Sequence, residues 1–272
     1  MLLAEPSPSQ LDLHFSLLGI PVRITPWFWL TAAILGWNVA QELSGPQGIG
    51  ISMGAALLIW TAAVLISITV HEFGHALTFR AFGVASHVVL YQFGGLAVPE
   101  VTFGSYGRGQ GENPWKQILI SVAGPGAQML LAIAVAAAFH FSGYYVPNPM
   151  PFKFLPWFQN SFLWAMKRPS PAMFTFEVSI IIASVSWALL NLLPVYPLDG
   201  GRIAREVLTL ISPREGIRFS LVLSILAAAA IALWAFQHQD PYLGIMFAML
   251  GYGSFMTLQA YMGRGGYGGG FP

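Results

Sequence analysis

Cysteine is absent from the 272-residue sequence, and charged residues make up only 8% of it. The lack of cysteine excludes a disulfide framework and any metal site built on thiolates. Soluble domains carry about 25% charged residues, so this chain has too few charges to keep a globular surface in water. A net charge of +1 gives no sign of a nucleic-acid partner. In contrast, 56% of the residues are hydrophobic and the mean hydropathy is +0.64, which predicts a chain embedded in a lipid bilayer.

Long apolar stretches predict six membrane-spanning helices, because about 20 such residues are needed to cross ~30 Å of hydrocarbon. The predicted spans are 24–42, 51–82, 115–141, 173–193, 216–236 and 241–262. We therefore expect an all-α polytopic membrane protein with a small membrane-embedded β-hairpin or sheet. Residues 1–262 are expected to form a single domain, and the glycine-rich residues 263–272 a flexible tail.

Lysine and arginine are distributed unevenly between the two sides of the six predicted spans. The side that holds both termini has Arg23, Arg80, Arg108, Lys116, Arg202, Arg205, Arg214, Arg218 and Arg264, and the other side has Lys153, Lys167 and Arg168. Positive residues are enriched on the cytoplasmic side of membrane proteins. Both termini, and the C-terminal end of the second span, are therefore predicted to face the cytoplasm.

Three shorter segments do not fit a membrane span. Residues 11–17 alternate apolar and polar side chains, as a half-exposed strand does. Residues 87–103 contain two β-prone arms around Gly94 and Gly95, which predicts a hairpin that turns at the two glycines. Residues 199–212 place charged side chains between apolar ones, which predicts a short helix at the membrane interface.

The second span ends in HEFGH, residues 71–75, which places three ionisable side chains in an apolar helix. His71 and His75 are four residues apart, so on a helix they lie on one face and one turn apart. Both imidazoles can then bind one zinc ion at about 2.0–2.1 Å. Glu72 lies near the metal and can take a proton from the water that the metal activates. The alternatives are a chance match to the motif and a buried, hydrogen-bonded pair of histidines.

A hydrolytic zinc site needs a third protein ligand beyond the two histidines. No ligand follows His75 at the metzincin spacing, and the next acidic residue, Glu100, lies in a strand-like stretch. The candidate is NLLPVYPLDGGR, residues 191–202, where two prolines stop the fourth span and Asp199 is expected on irregular backbone. The alternative is a plain helix stop with a solvated aspartate.

HEFGH on one span and NLLPVYPLDG on a later span resemble the paired motifs of the site-2 protease family of intramembrane zinc metalloproteases. The chain resembles the minimal form of this family, which has no PDZ or CBS domain. The resemblance implies that His71, His75 and Asp199 bind one zinc ion and that Glu72 is the general base. It also implies that Asn191 holds the substrate or polarises the scissile carbonyl.

Two further stretches extend the resemblance, which covers about residues 15–260. VLYQFGGLAV is similar to the family's membrane-embedded hairpin, which implies that Phe93, Gly94 and Gly95 contact the substrate. An open strand edge gives an extended peptide its backbone partners, although the glycine pair could also serve only as a tight turn. SVAGPGAQML places small residues in the third span, where they allow helices to approach closely.

Together, the motifs and the resemblance imply a zinc-dependent endopeptidase that acts within or near a transmembrane segment, as in regulated intramembrane proteolysis. The expected partners are one Zn²⁺ per chain, the lipid bilayer and a single-span membrane-protein substrate, with no nucleic acid and no small-molecule cofactor. The expected location is a bacterial or archaeal cell membrane. Two rival classes stay open: a non-proteolytic zinc-binding scaffold or transporter, and the multispan H-E-x-x-H proteases that use a glutamate as third ligand.

Overall fold

The computed structural model describes residues 5–45, 48–100, 113–144 and 167–265. In this part of the chain the strands are β1 (Leu13–Leu17), β2 (Ile20–Ile24), β3 (Ser86–Tyr91) and β4 (Gly94–Pro99). The helices are α1 (Pro26–Ser44), α2 (Met53–Ala81), α3 (Pro114–Phe141), α4 (Pro171–Asn191), α5 (Asp199–Ile211), α6 (Gly216–Gln237) and α7 (Pro241–Gly265). The predicted helical membrane fold with a small sheet is confirmed.

Five helices are long and apolar enough to cross a membrane: α2, α3, α4, α6 and α7. The first predicted span, 24–42, forms helix α1 but is not among them. The second half of α1 carries Asn38, Gln41 and Glu42, which lower its hydropathy. The predicted count of six spans is therefore wrong for the described residues, which contain five such spans and seven helices in all.

The chain divides into two compact units. We call the first the histidine unit; it consists of residues 5–101 and 123–188. The second, the aspartate unit, is formed mainly by residues 102–122 and 189–272. The single domain expected over residues 1–262 stays a prediction.

In the histidine unit, helices α1 and α2 pack against a four-stranded sheet of order β1-β2-β3-β4. The pairs at the two edges are antiparallel, and β2 pairs with β3 in parallel. The parallel pair requires a crossover connection, which α1 and α2 supply. Val22, Phe28, Trp60, Ile68 and Val88 contribute to the buried core between the helices and the sheet. This core holds the C-terminal half of α2, which carries HEFGH, against the sheet.

The strand predicted over residues 11–17 is confirmed as β1, and the hairpin as β3 and β4. The position of the predicted turn is wrong, because Gly94 pairs with Tyr91 and the turn consists of residues 92–93. Gly94 and Gly95 instead begin β4. The last three residues of the predicted hairpin, 101–103, lie outside the described residues. Strand β2 was not predicted, because its buried run, IPVRI, lacks the alternation of a half-exposed strand.

In the aspartate unit, the helix predicted over residues 199–212 is confirmed as α5. Asp199 is the first residue of that helix, so the expectation of irregular backbone at Asp199 is wrong. The two glycines that follow are helical as well. They are needed for space, because a Cβ on Gly200 would overlap the carbonyl oxygen of Leu192, and one on Gly201 would overlap the backbone of Tyr196. Helix α5 therefore folds back closely on the turn that precedes it.

Helix α7 continues to Gly265, so the first three residues of the predicted tail, 263–265, are helical. The rest of the predicted tail, residues 266–272, lies outside the described part of the chain. Arg108 and Lys153, which contributed to the predicted orientation, lie outside it too.

Candidate metal centre and active site

The motif HEFGH lies in the C-terminal half of α2, and all three of its ionisable side chains are buried. The Nε2 atoms of His71 and His75 are 3.1 Å apart, and the two ring planes meet at 78°. Two nitrogens that bind one tetrahedral zinc ion at 2.0–2.1 Å would lie about 3.3 Å apart. Helix α2 therefore presents two ring nitrogens at the spacing that a single ion requires.

Helix α3 approaches these two nitrogens closely at Gly124. A Cβ on Gly124 would contact Nε2 of both histidines, and would lie 2.8 Å from that of His71. Gly74 of α2 faces the backbone of Ala123 at similarly close range, so the two helices touch through glycines. A side chain at position 124 would therefore overlap the two rings. The spacing of the two ring nitrogens and the burial of both rings fit a bound metal ion.

The other ring nitrogen of His71 is hydrogen-bonded inside the protein. His71 Nδ1 lies 2.9 Å from Oε1 of Gln128 on α3. The amide nitrogen of Gln128 in turn donates to the side chain and the backbone carbonyl of Ser67 on α2. The sequence analysis did not single out Gln128. The available signal was a polar amide in the middle of an apolar span, where such side chains are costly.

Glu72 lies against the beginning of β4. A Cβ on Gly95 would overlap the Glu72 side chain, including its carboxylate, so the backbone of the strand approaches it directly. Gly94 makes a similar close approach to Trp187 of α4, and Phe93 is half-buried in the turn. Among the predicted hairpin residues, Gly95 is thus the one that the fold places against the candidate base.

Asp199 and Asn191 are the two predicted site residues in the aspartate unit. Asn191 is the last residue of α4 and Asp199 the first of α5, and both side chains are buried. His71, His75 and Asp199 are each buried, and each offers one atom of a kind that binds metal ions.

The model of peptidase family M50 matches residues 59–233, which is more than half of the chain and contains both motifs. The chain belongs to peptidase family M50. It is similar to "Putative zinc metalloprotease sll0528" from Synechocystis sp., with 25% identity over 195 residues, or 71% of this chain. The match covers 42% of that relative, so this M50 chain spans less than half of its length.

The fold is similar to that of the site-2 protease from Methanocaldococcus jannaschii, with a TM-score of 0.52. The match covers 91% of this chain and 95% of the archaeal protein, at 16% identity, and it concerns the fold alone. The resemblance to the site-2 protease family is confirmed by the family match together with this fold. The M50 protein is an integral membrane protein.

Proposed function

We propose that this M50 protein is a zinc-dependent intramembrane endopeptidase that cuts within or near a transmembrane segment of a single-span membrane protein. The observation that carries the proposal is the buried imidazole pair of α2, whose Nε2 atoms lie 3.1 Å apart beside Gly124. Ionisable side chains within a membrane helix are costly, and they usually mark a functional site. A hydrolytic site accounts for both histidines and for the glutamate between them.

In this proposal His71, His75 and Asp199 hold one Zn²⁺ per chain. Two imidazoles and one carboxylate are a donor set that catalytic zinc sites use, and they leave one coordination position open. The burial of all three side chains supports this assignment, because buried ionisable groups are costly unless they bind a partner. When bound, the ion supplies a Lewis acid that makes water nucleophilic at neutral pH and polarises the scissile carbonyl.

Glu72 is the proposed general base. Its carboxylate accepts a proton from the attacking water and passes it to the leaving amine nitrogen as the peptide C–N bond breaks. The carboxylate is buried, and the backbone at Gly95 lies against it. This covering limits the access of bulk water to the group that moves the proton.

Strand β4 is the proposed docking edge for the substrate. It is the last strand of the sheet, so one of its edges has no strand partner among the described residues. An extended peptide can add to such an edge through main-chain hydrogen bonds. Phe93 in the turn and Gly94 and Gly95 at the start of β4 are the proposed substrate contacts. The backbone at Gly95 lies against Glu72. Asn191 is the proposed polar group that holds the substrate or polarises its scissile carbonyl.

The substitution Glu72→Gln distinguishes this proposal from a zinc-binding scaffold or transporter. Purified protein is analysed for zinc and then incubated with a model single-span membrane substrate. We expect the variant to keep its zinc while the cleavage rate falls about 100- to 10,000-fold, because a general base contributes about that much.

The matched control is Glu177→Gln, which makes the same change at a fully buried glutamate of α4. This control should cleave the substrate at the wild-type rate. Cleavage by Glu72→Gln at the wild-type rate would refute the role of Glu72. Zinc binding without cleavage by the wild type would favour the scaffold or transporter.

A further inference from the structure

A chain of buried hydrogen bonds connects three membrane helices through Gln128 of α3. Its Oε1 lies 2.9 Å from His71 Nδ1, and its Nε2 lies 2.9 Å from Ser67 Oγ and 3.3 Å from the Ser67 carbonyl oxygen. Ser184 of α4 donates a further hydrogen bond of 3.0 Å to Ser67 Oγ. Gln128, Ser67 and Ser184 are completely buried. The amide of Gln128 thus has acceptor and donor partners in a region where unsatisfied polar groups are costly.

The partners of Gln128 determine which way its amide points. A backbone carbonyl oxygen only accepts hydrogen bonds, so the atom of Gln128 that faces the Ser67 carbonyl is the NH₂ group. The amide oxygen must then face His71 Nδ1. An amide oxygen also only accepts, so Nδ1 of His71 carries the proton and donates it. In a neutral imidazole with a proton on Nδ1, the lone pair is on Nε2.

We propose that Gln128 is a positioning residue that holds His71 in its Nδ1–H tautomer and fixes the plane of its ring. The lone pair is then on Nε2, the atom that lies 3.1 Å from His75 Nε2. The part of this inference that concerns metal binding rests on the proposed function. Outer partners of this kind typically change metal affinity about 10- to 100-fold.

The alternative for Gln128 is a purely structural role in joining α2, α3 and α4. Both roles predict that an apolar residue at position 128 lowers thermal stability. They differ in what happens to the ring of His71, because only a positioning role ties its tautomer and its metal affinity to the amide oxygen. The tests therefore measure the tautomer and the zinc affinity as well as the stability.

The first test uses the wild-type full-length protein, purified in detergent without metal and with ¹⁵N-labelled histidine. The ¹⁵N chemical shifts distinguish a protonated Nδ1 from a protonated Nε2, and a His71→Asn sample identifies the signals of His71. We expect the Nδ1–H tautomer. A predominant Nε2–H tautomer would overturn the inference. This result does not depend on zinc binding or on proteolysis.

The second test compares two substitutions that have nearly the same size as glutamine. Gln128→Met removes both the acceptor and the donor, whereas Gln128→Glu in its protonated form reproduces both. We expect Gln128→Met to give a mixture of tautomers at His71 and a zinc affinity about 10- to 100-fold below that of the wild type, measured by competition with a chelator. Gln128→Glu should restore the Nδ1–H tautomer and much of the affinity.

The control for this series is Ser179→Ala, which changes a buried serine of α4 with no hydrogen-bond partner in the described part of the chain. It should leave the tautomer and the zinc affinity unchanged. A Gln128→Met protein with lowered thermal stability but with the wild-type tautomer and affinity would overturn the positioning role. If the wild type bound no zinc, the proposed function would fail, whereas the tautomer measurement would still decide the role of Gln128.

Discussion

At the scale of single residues, the candidate site depends on two glycines as well as on its ionisable groups. Gly124 allows the backbone of α3 to approach the two histidine rings, and Gly95 allows β4 to approach the carboxylate of Glu72. Neither glycine adopts a left-handed backbone conformation. Their role is therefore to leave space, and this role can be tested by adding a single methyl group.

The substitution Gly124→Ala should weaken metal binding. Its methyl group would overlap the ring of His75 and press on Nε2 of His71, so both rings must move. We expect zinc affinity to fall about 100-fold, the upper end of the loss typical for a disturbed ligand shell. Zinc content and chelator competition measure the effect. The control is Gly126→Ala on the same helix, because a Cβ there would meet no atom within 4 Å. Equal zinc affinity of the two variants would contradict the conclusion that zinc binding requires a glycine at position 124.

The substitution Gly95→Ala should displace Glu72 and leave the metal ligands in place. The added methyl group would overlap the Glu72 side chain, and a misplaced catalytic group can cost about 100-fold in rate. We expect cleavage to fall by about 10- to 100-fold with zinc content unchanged. In the double variant with Glu72→Gln, the second change should add almost nothing, because both act on the same group. Additive losses would show that Gly95 acts elsewhere.

At the scale of the elements, the sequence predicted those helices whose own residues show a clear pattern of apolar and charged side chains. The apolar run that ends in HEFGH predicted α2, and the mixed charged and apolar residues after Leu198 predicted α5 to within one residue. The predicted turn is misplaced because Gly94 and Gly95 are not turn residues. They leave space for the side chains of Trp187 and Glu72, which are distant in the sequence. Local composition does not contain such contacts.

For the candidate site as well, the sequence predicted the residues that form a local motif and missed a residue that depends on distant contacts. The four-residue spacing of His71 and His75 predicts a metal site from the local sequence. Gln128, in contrast, is hydrogen-bonded to residues about sixty positions away. Helix α1 illustrates the opposite error. An apolar first half predicted a span, but Asn38, Gln41 and Glu42 make the whole helix too polar to qualify.

The use of β4 as a docking edge makes a prediction about the substrate's own helix. A helical substrate keeps its carbonyl groups in i→i−4 hydrogen bonds, so the segment must unwind before it can pair with a strand or be attacked. Substrates with Gly, Pro or Asn near the cut should therefore be cleaved faster than a poly-leucine segment, because Gly and Pro destabilise a helix interior by about 1 and 3 kcal/mol relative to Ala. Equal cleavage rates for the two kinds of substrate would contradict unwinding at the edge.

At the scale of the whole molecule, orientation in the membrane decides from which side water reaches the site. Helix α6 is an apolar span with Arg214 just before its start and no Lys or Arg among residues 238–240, just after its end. From the positive-inside rule we propose that the start of α6 lies on the cytoplasmic side. We propose the same side for the connection that follows α2, which carries HEFGH near its end.

The absence of cysteine makes this orientation directly measurable, because any thiol introduced is the only one in the chain. Three exposed positions serve as probes, in the variants Ala85→Cys, Arg214→Cys and Gln239→Cys. In intact cells or spheroplasts, a membrane-impermeant maleimide should label the Gln239→Cys variant. The variants at positions 85 and 214 should react only after the membrane is opened. Labelling of Ala85→Cys and Arg214→Cys from opposite sides would be incompatible with one zinc site that uses ligands from α2 and α5.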